Sequence, residues 1–276
     1  MQSIATFAPV EMLGYLVAVG IGVSLGLIGG GGSILTLPML VYLFNIDPVM
    51  ATAYSLFIVG ITSLIGVFPK YQIGEVHLKS ALVFGLPSIL AVFITRLYLL
   101  PSIPSVIFNW NGFEVTKSLF LLLLFAVLMV FASIAMIRKK KNHVPSDRSY
   151  PYGLVLLEGS IVGILTGLVG AGGGFIIIPA LVLFSQLSMK QAVGTSLLII
   201  AAKSLVGILG DIGSMAFDWS LLFGITALSI LGMILGIWIS KRIDGDRLKS
   251  GFGWLVLGMG VLILLKELFF NPSIGH

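Results

Sequence analysis

Six apolar runs, each about as long as the hydrocarbon core of a bilayer is thick, divide this chain. They occupy residues 51–68, 80–100, 117–137, 192–209, 219–239 and 252–270. Charged residues make up only 10% of the 276 residues, whereas a soluble domain carries about 25%. So few charges cannot cover a globular surface with polar groups. The sequence therefore predicts an all-α polytopic membrane protein and excludes a soluble or disordered one.

Two further apolar stretches, 12–45 and 153–186, are too long for one straight span, and glycines interrupt each of them. The interruptions are copies of one motif, because the segment 26–38 recurs in similar form 141 positions later. The register holds without a gap to Gly66 and Gly207, and fifteen of the 41 aligned residues are identical. We therefore predict an internal duplication, with five membrane elements in each half.

The predicted organisation is a first repeat, a basic linker and a second repeat. The first repeat spans 1–137, with membrane segments 12–29, 30–45, 51–68, 80–100 and 117–137. The linker spans 138–152, and the second repeat follows at 153–276, with segments 153–170, 171–186, 192–209, 219–239 and 252–270.

Equivalent loops of the two halves differ in charge. Lysines and arginines occur in 69–79, 138–152 and 240–251 and are missing from 101–116 and 210–218. Basic loops lie on the cytoplasmic side of a membrane. With five elements per half, the second half must then enter the membrane upside down. We expect an inverted repeat in the cytoplasmic (inner) membrane, in which 153–186 forms a hairpin that enters from the cytoplasm and returns to it.

Each glycine motif predicts a break in a helix. Glycine costs a helix about 1 kcal/mol relative to alanine, and a proline pushes the residue before it toward extended geometry. We expect both segments to be unwound, with Pro38 and Pro179 in the first turn of a short helix. Irregular backbone at membrane depth must be buried or line a polar cavity. The two tips should therefore meet near the midplane and offer free amides to an anion.

Lys203 lies inside an apolar run, where a charge is costly and indicates a functional site. Its equivalent in the first half is Thr62. Hydroxyl groups near the tips would add neutral donors. The predicted substrate-binding residues are Gly29, Gly30, Gly31, Gly32, Ser33, Thr36, Ser55, Thr62, Ser63, Gly170, Ala171, Gly172, Gly173, Gly174, Thr195, Ser196, Lys203 and Ser204.

Each of these features also has a simpler interpretation. The glycines could serve close helix packing alone, and buried hydroxyls could bond their own backbone. Lys203 could snorkel or pair with Asp211, and Arg96 is expected to reach the outer headgroups. Glu158 and Asp211 are candidates for ion coupling, although Glu158 could equally be an interfacial acid.

Residue types exclude several function classes. The chain has no cysteine and its three histidines form no metal-ligand pattern, so we expect no cofactor or metal. Neither glycine run continues into Gly-Lys-Ser/Thr, and no catalytic pair is present, so we expect no enzyme. The basic residues form short islands, which excludes nucleic acid binding. The expected partners are a small anion and the lipid bilayer, with a homo-oligomer left open.

The doubled motif Gly-Leu-x-Gly-x-Gly-Gly-Gly/Ser-x-x-x-x-Pro, followed each time by a helix with a small polar serine, resembles the TauE/SafE family of sulfite exporters. The resemblance covers essentially the whole chain. It implies a bacterial-type carrier that moves sulfite, thiosulfate, sulfoacetate or related organosulfonates by ion-coupled exchange or export. In the second copy Ala171 replaces Gly30 and Gly174 replaces Ser33, so the two tips need not donate equally.

The sequence and the resemblance together favour a secondary transporter of a small sulfur-containing anion that works by alternating access. Without an ATPase motif, such a protein must draw on an ion or substrate gradient. Two alternatives remain at this point. One is a passive anion channel, and the other is a structural membrane protein without transport activity.

Overall fold

The computed structural model describes residues 9–110, 113–137, 152–170, 172–185, 187–213, 215–240 and 245–270. The basic linker 138–152, except for Tyr152, and residue Ala171 lie outside these ranges. The helices of the first half are α1 (Pro9–Ile28), a 3-10 helix (Gly29–Leu35), α2 (Thr36–Tyr42), α3 (Pro48–Gln72), α4 (Leu78–Ile94), a π-helical turn (Thr95–Leu99), α5 (Leu100–Ser102) and α6 (Lys117–Ile137). Those of the second half are α7 (Tyr152–Val169), α8 (Gly174–Phe184), α9 (Met189–Leu209), α10 (Trp219–Ser240), α11 (Gly245–Leu265) and a final π-helical turn (Lys266–Phe270).

Six helical stretches of the described chain are long and apolar enough to cross a membrane. They are Met12–Tyr42, Pro48–Gln72, Leu78–Ser102, Lys117–Ile134, Met189–Leu209 and Trp219–Ser240. The predicted all-α polytopic membrane fold is confirmed. One addition to it is a small antiparallel hairpin of β1 (Val106–Trp110) and β2 (Phe113–Thr116), which occupies the connection between α5 and α6.

Several helices begin earlier than the apolar runs that predicted them, and polar caps explain two of these cases. The run at 51–68 became α3, which starts three residues sooner because Asp47 Oδ1 accepts the amide hydrogens of Val49 and Met50. The run at 192–209 became α9, which also starts three residues sooner, behind a capping box of Ser188 and Gln191. Capping side chains are polar. A criterion based on apolar residues alone therefore misses the first turn of each helix.

The first glycine break is helical rather than unwound. Gly29–Leu35 forms a 3-10 helix that leads directly into α2, so the expected extended segment before Pro38 is wrong. The break comes from Gly29, whose φ of +72° lies in the left-handed region and ends α1. The glycines that follow have no Cβ, so they accept the tight 3-10 winding. Pro38 is the third residue of α2 and lies in its first turn.

The second glycine break is a tighter reversal. Gly170, Gly172 and Gly173 have φ angles of +72°, +64° and +66°, and α8 begins immediately afterwards at Gly174. The residues before Pro179 are therefore helical, and Pro179 lies inside α8 instead of in its first turn, which corrects the expectation. The reason is that left-handed glycines complete the turn within the glycine run itself.

Each tip folds back on the helix that precedes it. Gly32 lies against Ser24 and Leu25 of α1, and Gly173 lies against Thr166 of α7. Gly14 near the start of α1 also lies against Phe44 just after α2, so the first tip is the turn of a helical hairpin.

Helix contacts between the two halves occur in matched pairs, in which the first and second halves exchange places. The helix α1 packs on α10 and α7 packs on α4, while α3 packs on α9 and α6 packs on α11. In the duplication, α1 and α7 are the first elements of their halves, and α4 and α10 are the fourth. Such an exchange is what a local twofold relation between two copies produces.

Equivalent helices of the two halves run antiparallel where they touch. Gly60 of α3 lies against Leu205 of α9, and Gly66 of α3 lies against Leu197 of α9. Residue numbers along α9 therefore fall as those along α3 rise. The helices α6 and α11 behave in the same way, with Gly253 against Ile137 and Gly260 against Met129. By contrast, α1 runs parallel to α10 and α7 runs parallel to α4, as the order of the contacting glycines indicates.

The duplication extends beyond the range that sequence identity detects. Gly66 packs against the Met233 side chain, and its equivalent Gly207 packs against Val92. Met233 and Val92 are themselves 141 positions apart. The repeat register therefore continues unchanged into α4 and α10, where the sequences of the two copies have diverged.

A matched pair of hydrogen bonds holds the fourth helix of each half. The backbone N–H of His77, before α4, donates to Thr195 Oγ1 at 2.9 Å. The backbone N–H of Asp218, before α10, donates to the Tyr54 hydroxyl at 2.6 Å. These contacts are equivalent in the duplication, since both residue pairs are related by 141 positions.

The buried apolar core has two parts. The larger cluster consists mainly of residues from α1, α2, α3, α6, α10 and α11, with Leu168, Val169 and Leu197 added from α7 and α9. The smaller one consists mainly of residues from α4, α7, α8 and α9, with Val59 of α3. The glycine tips lie where the two parts meet, because the 3-10 helix packs on both α8 and α9.

Candidate functional site

The two glycine tips touch backbone to backbone. A Cβ atom on Gly30 would lie 2.5 Å from the Gly174 Cα, and a Cβ on Gly174 would overlap the Gly30 backbone. Only glycine fits at such an approach. Residues Gly29 to Ile34 are all buried. The tips therefore cross inside the protein and do not face lipid.

The third helix of each half flanks this crossing. Gly172 lies against Val59 of α3, Ile200 of α9 and the Ser33 hydroxyl of the first tip. Val59 and Ile200 are equivalent in the duplication. The candidate site is thus enclosed by two tips and two equivalent helices, one of each from either half.

Close packing explains some motif glycines without any ligand. Gly29 lies against Val193 at the start of α9, and Gly170 lies against Thr52 at the start of α3. These contacts are equivalent in the duplication. Gly32 faces α1, so its missing side chain serves the fold of its own hairpin. The packing interpretation therefore accounts for these three glycines, and Ala171 lies outside the described residues.

Lys203 lies beside the second tip and is fully buried, with 0% relative exposure. Its Nζ donates to Thr166 Oγ1 at 3.0 Å. A Cβ on Gly173 would lie 2.8 Å from this Nζ, so the glycine leaves room for the lysine head group. Among the described residues no carboxylate forms an ion pair with Lys203. Both simpler interpretations, snorkelling and pairing with Asp211, are therefore wrong.

Lys203 occupies the depth at which α3 and α9 cross. The contacts of Gly60 with Leu205 and of Gly66 with Leu197 place Lys203 opposite Thr62 and its neighbours. Thr62 is the equivalent residue in the first half. Lys203 therefore lies where the third helices of the two halves cross.

Five of the predicted hydroxyl groups are buried and form no hydrogen bond within the described part of the chain. They belong to Thr36, Ser55, Thr62, Ser63 and Ser204, each with 0% exposure. Buried polar groups almost always have a partner, so a group of them without one indicates the position of a ligand or of water. Ser63 and Ser204 are equivalent, and each follows a flanking residue, Val59 or Ile200, by one helical turn.

Ser88 is a further hydroxyl of this kind, and the sequence analysis missed it. Its Oγ is buried and has no hydrogen-bond partner in the part of the chain that the structure describes. Contacts of Gly85 with Ile199 and of Gly207 with Val92 place it on α4 at the depth of Lys203. A signal did exist, because Ser229 follows 141 positions later, but the stretch of clear similarity between the halves ends at Gly66 and Gly207.

The remaining predicted hydroxyls have partners in the protein. Ser33 Oγ donates to the Gly30 carbonyl at 2.7 Å, and Ser196 Oγ donates to the Val193 carbonyl at 2.8 Å. Bonds of this type are common for serine in helices. Thr195 accepts the His77 amide, and we therefore assign it to holding α4.

Comparison with known proteins identifies the family. A family model described as "Sulfite exporter TauE/SafE" matches residues 14–263, which include both tips and Lys203. This chain belongs to the TauE/SafE sulfite exporter family. It is accordingly a membrane transporter and not an enzyme.

Relatives of this TauE/SafE protein are similar over nearly their full length. A "Probable membrane transporter protein" of Xylella fastidiosa is 28% identical over 254 residues, covering 90% of this chain and 92% of the relative. The "Probable membrane transporter protein MJ0441" of Methanocaldococcus jannaschii is 27% identical, covering 92% and 96%. YunE of Bacillus subtilis, also named a probable membrane transporter protein, is 27% identical, covering 88% and 93%. No solved structure matches the chain.

Arg96 of this TauE/SafE protein is buried, which corrects the expectation that it reaches the outer headgroups. It has 0% exposure, and its Nη1 lies 3.1 Å from Asp211 Oδ2. Arg96 belongs to the π-helical turn Thr95–Leu99, and the Arg96 Cβ lies close to Gly210. The partner is 115 positions away in the other half, so no local pattern could indicate it.

Glu158, the other coupling candidate in this family member, is half-buried and its Oε2 has no hydrogen-bond partner. It lies on α7 eight residues before Thr166, which corresponds to about 12 Å along the helix. Glu158 is therefore not at the crossing of the tips. No group of three metal-ligating side chains occurs among the described residues.

Proposed function

We propose that this protein is a secondary transporter of a small sulfur-containing anion such as sulfite, thiosulfate or an organosulfonate like sulfoacetate. The observation that carries the proposal is the buried Lys203 amino group, which among the described residues has a threonine hydroxyl but no carboxylate beside it. An isolated charge in a medium of low dielectric constant is strongly unfavourable. A bound anion supplies the missing countercharge at the crossing of the two tips.

The surroundings of Lys203 suit a small oxyanion. Sulfonate and sulfite groups carry several acceptor oxygens, and the unpartnered hydroxyls of Ser63, Ser88 and Ser204 are donors at comparable depth. Glycine at the tips allows a ligand to approach the backbone without a Cβ in the way. One cation matched to one anion, with neutral donors around it, favours a small anion over a larger or uncharged solute.

Alternating access is supported by the relation between the halves. Equivalent helices run antiparallel where they pack, as expected if one half is inserted upside down relative to the other. In such a protein one half can rock against the other around a site on the local axis. We place the basic loop 69–79 and Lys190 on the cytoplasmic side of the inner membrane, and the connections 101–116 and 210–218 on the outer side.

A ligand panel tests the proposed substrate. Purified protein is heated with sulfite, sulfate, thiosulfate, sulfoacetate or phosphate, and saturable uptake of the same anions is measured in proteoliposomes. We expect at least one sulfur anion to raise the unfolding temperature and to be taken up with counterflow. Lys203→Met should abolish both effects, whereas Lys79→Met, an exposed control, should retain them.

Each alternative function gives a distinct result in this panel. Uptake without saturation or counterflow would indicate a passive channel. No uptake and no thermal shift with any anion would indicate a structural membrane protein. Equal shifts in wild type and Lys203→Met would remove Lys203 from the site.

The topology has its own test, because the chain contains no cysteine. Single variants Lys79→Cys and Lys190→Cys should be protected from a membrane-impermeant maleimide in intact cells, and Ser105→Cys should react. Labelling of Lys79→Cys and Lys190→Cys from opposite sides would contradict the proposed arrangement.

A further inference from the structure

Among the residues that the structure describes, no acidic side chain pairs with Lys203. The helix α9 packs on α3, α4, α8 and the first tip, and Lys203 also contacts α7. Along the parts of these elements whose side chains the structure describes, and along the π-helical turn after α4, the titratable side chains other than Lys203 itself are Tyr54, Lys70, Tyr71, Lys79, Arg96, Tyr98, Glu158 and Lys190. None of them forms a hydrogen bond or an ion pair with Lys203.

These groups are engaged elsewhere or distant. Tyr54 accepts the Asp218 amide, Lys70 pairs with Glu75, and Arg96 pairs with Asp211. The single acid among them is Glu158, about 12 Å from Thr166 along α7. The partner that Lys203 does have, the Thr166 hydroxyl, accepts a hydrogen bond equally well from an ammonium or from a neutral amine.

The charge state of Lys203 therefore depends on the ligand. Without an anion, a buried ammonium that lacks a countercharge is unfavourable, and such a lysine loses its proton. With an anion bound beside it, the ammonium and the anion neutralise each other, and the proton is retained. Binding of the anion and binding of a proton are thus linked through one nitrogen atom.

We propose that Lys203 carries one proton across the membrane with each anion, so that the protein is a proton–anion symporter. This inference rests on the transport function proposed above. Facing one side, the neutral amine takes a proton from water and the resulting ammonium binds the anion. After the site opens to the other side, the anion leaves, the ammonium releases its proton to water there, and the neutral amine returns.

The duplication limits this count to one proton. The equivalent of Lys203 is Thr62, which cannot titrate. Each cycle therefore moves one proton and one anion in the same direction. For a monovalent anion the cycle transfers no net charge, and a pH gradient should drive uptake toward the alkaline side.

Proteoliposomes loaded with a pH-sensitive dye test the symport. The probes are labelled thiosulfate and methanesulfonate, which do not change protonation near neutral pH. We expect one proton to enter with each anion, and an inward proton gradient to accelerate uptake. Anion uptake without proton entry would overturn the symport and leave the transport function standing. If neither probe shows saturable uptake or exchange, the proposed function fails, and the symport fails with it.

Lys203→Arg separates the steps of the cycle. A guanidinium keeps its charge at any accessible pH. Exchange of internal for external anion, which never requires the empty site to return, should continue. Net uptake should fall by roughly tenfold or more, because an empty charged site must then return through the membrane interior. Net uptake and proton entry as in wild type would contradict the inference.

The exposed Lys79→Arg variant controls for the substitution itself and should match wild type in both assays. If Lys203→Arg neither exchanges nor binds an anion, the proton count of the wild-type protein decides the question by itself. One proton per anion supports the symport, and none overturns it.

Discussion

Arg96 and Asp211 form a fully buried ion pair, with 3.1 Å between Nη1 and Oδ2, that joins the fourth helix of the first half to the connection after α9. Arg96 lies in a π-helical turn, a feature often found at functional sites. The pair therefore links the two halves. It lies at the end of the molecule where α4 and α9 both finish. A buried pair is costly to break because the remaining charge loses its countercharge in a place that water does not solvate.

Removing one member of this pair should destabilise the protein strongly. Arg96→Met leaves the Asp211 carboxylate buried, so we expect the free energy of unfolding to fall by about 3–5 kcal/mol. The double variant Arg96→Met with Asp211→Leu removes both charges and should recover most of the loss. Denaturant titration in detergent, followed by intrinsic fluorescence, measures both.

The control is the Lys70–Glu75 pair, which is more exposed. Lys70→Met should cost about 1 kcal/mol, less than Arg96→Met, since both side chains of this pair keep some contact with water. An Arg96→Met variant as stable as Lys70→Met would contradict the view that the buried pair links the halves.

The close approach of the tips predicts that alanine substitution is more harmful at a tip glycine than at an exposed glycine. Gly174→Ala places a methyl group inside the Gly30 backbone, so the tips must separate. We expect a loss of about 1–3 kcal/mol, as for overpacked cores, together with the loss of any stabilisation by anions. Thermal unfolding with and without sulfite or thiosulfate measures both quantities.

Gly224→Ala is the matched control for this prediction. Nothing lies within 4 Å of a Cβ at that position, and Gly224 is an exposed residue of α10. Its stability and its response to anions should be those of wild type. Identical behaviour of Gly174→Ala and Gly224→Ala would mean that the tips do not depend on their close approach.

Removing an unpartnered hydroxyl should affect protein stability and anion binding in opposite directions. Ser63→Ala and Ser204→Ala each remove a buried group without a hydrogen bond, so the ligand-free protein should keep or gain stability. Anion affinity should fall by roughly five- to tenfold for each, equivalent to about 1 kcal/mol for one hydrogen bond. Isothermal titration and thermal unfolding provide the two measurements.

Thr195→Val should behave in the reverse manner. Its hydroxyl accepts the His77 amide, so its loss should lower stability by about 1 kcal/mol and leave anion affinity unchanged. If Thr195→Val weakens anion binding while Ser204→Ala does not, the site has been assigned to the wrong hydroxyls.

Much of the fold follows from patterns that are local or periodic. The apolar runs predicted the membrane helices because about 20 apolar residues are needed to span the hydrocarbon. The repeated glycines located both reversals, since only glycine accepts φ angles such as +72° at Gly29 and Gly170 without strain. Lys203 stood out because a charge within an apolar run is costly wherever the chain places it.

Other features needed the tertiary structure. Ser88 and Ser229 are 141 positions apart, like the other matched residues of the two halves. A single match between apolar helices is not noticeable in the sequence, and it became clear from the contact of Gly207 with Val92. The helical rather than extended conformation before Pro179 follows from a turn completed by Gly172 and Gly173, which a local preference of proline could not reveal.

The amino-acid sequence by itself predicted the all-α membrane fold and located both helix breaks. Hydrophobicity and backbone freedom are properties of residues and of their near neighbours. Only the tertiary structure decided that Arg96 meets Asp211 and that Lys203 meets Thr166 without an acid beside it. The reason is that the energy of a charge depends on what surrounds it in space, and these neighbours come from distant parts of the chain.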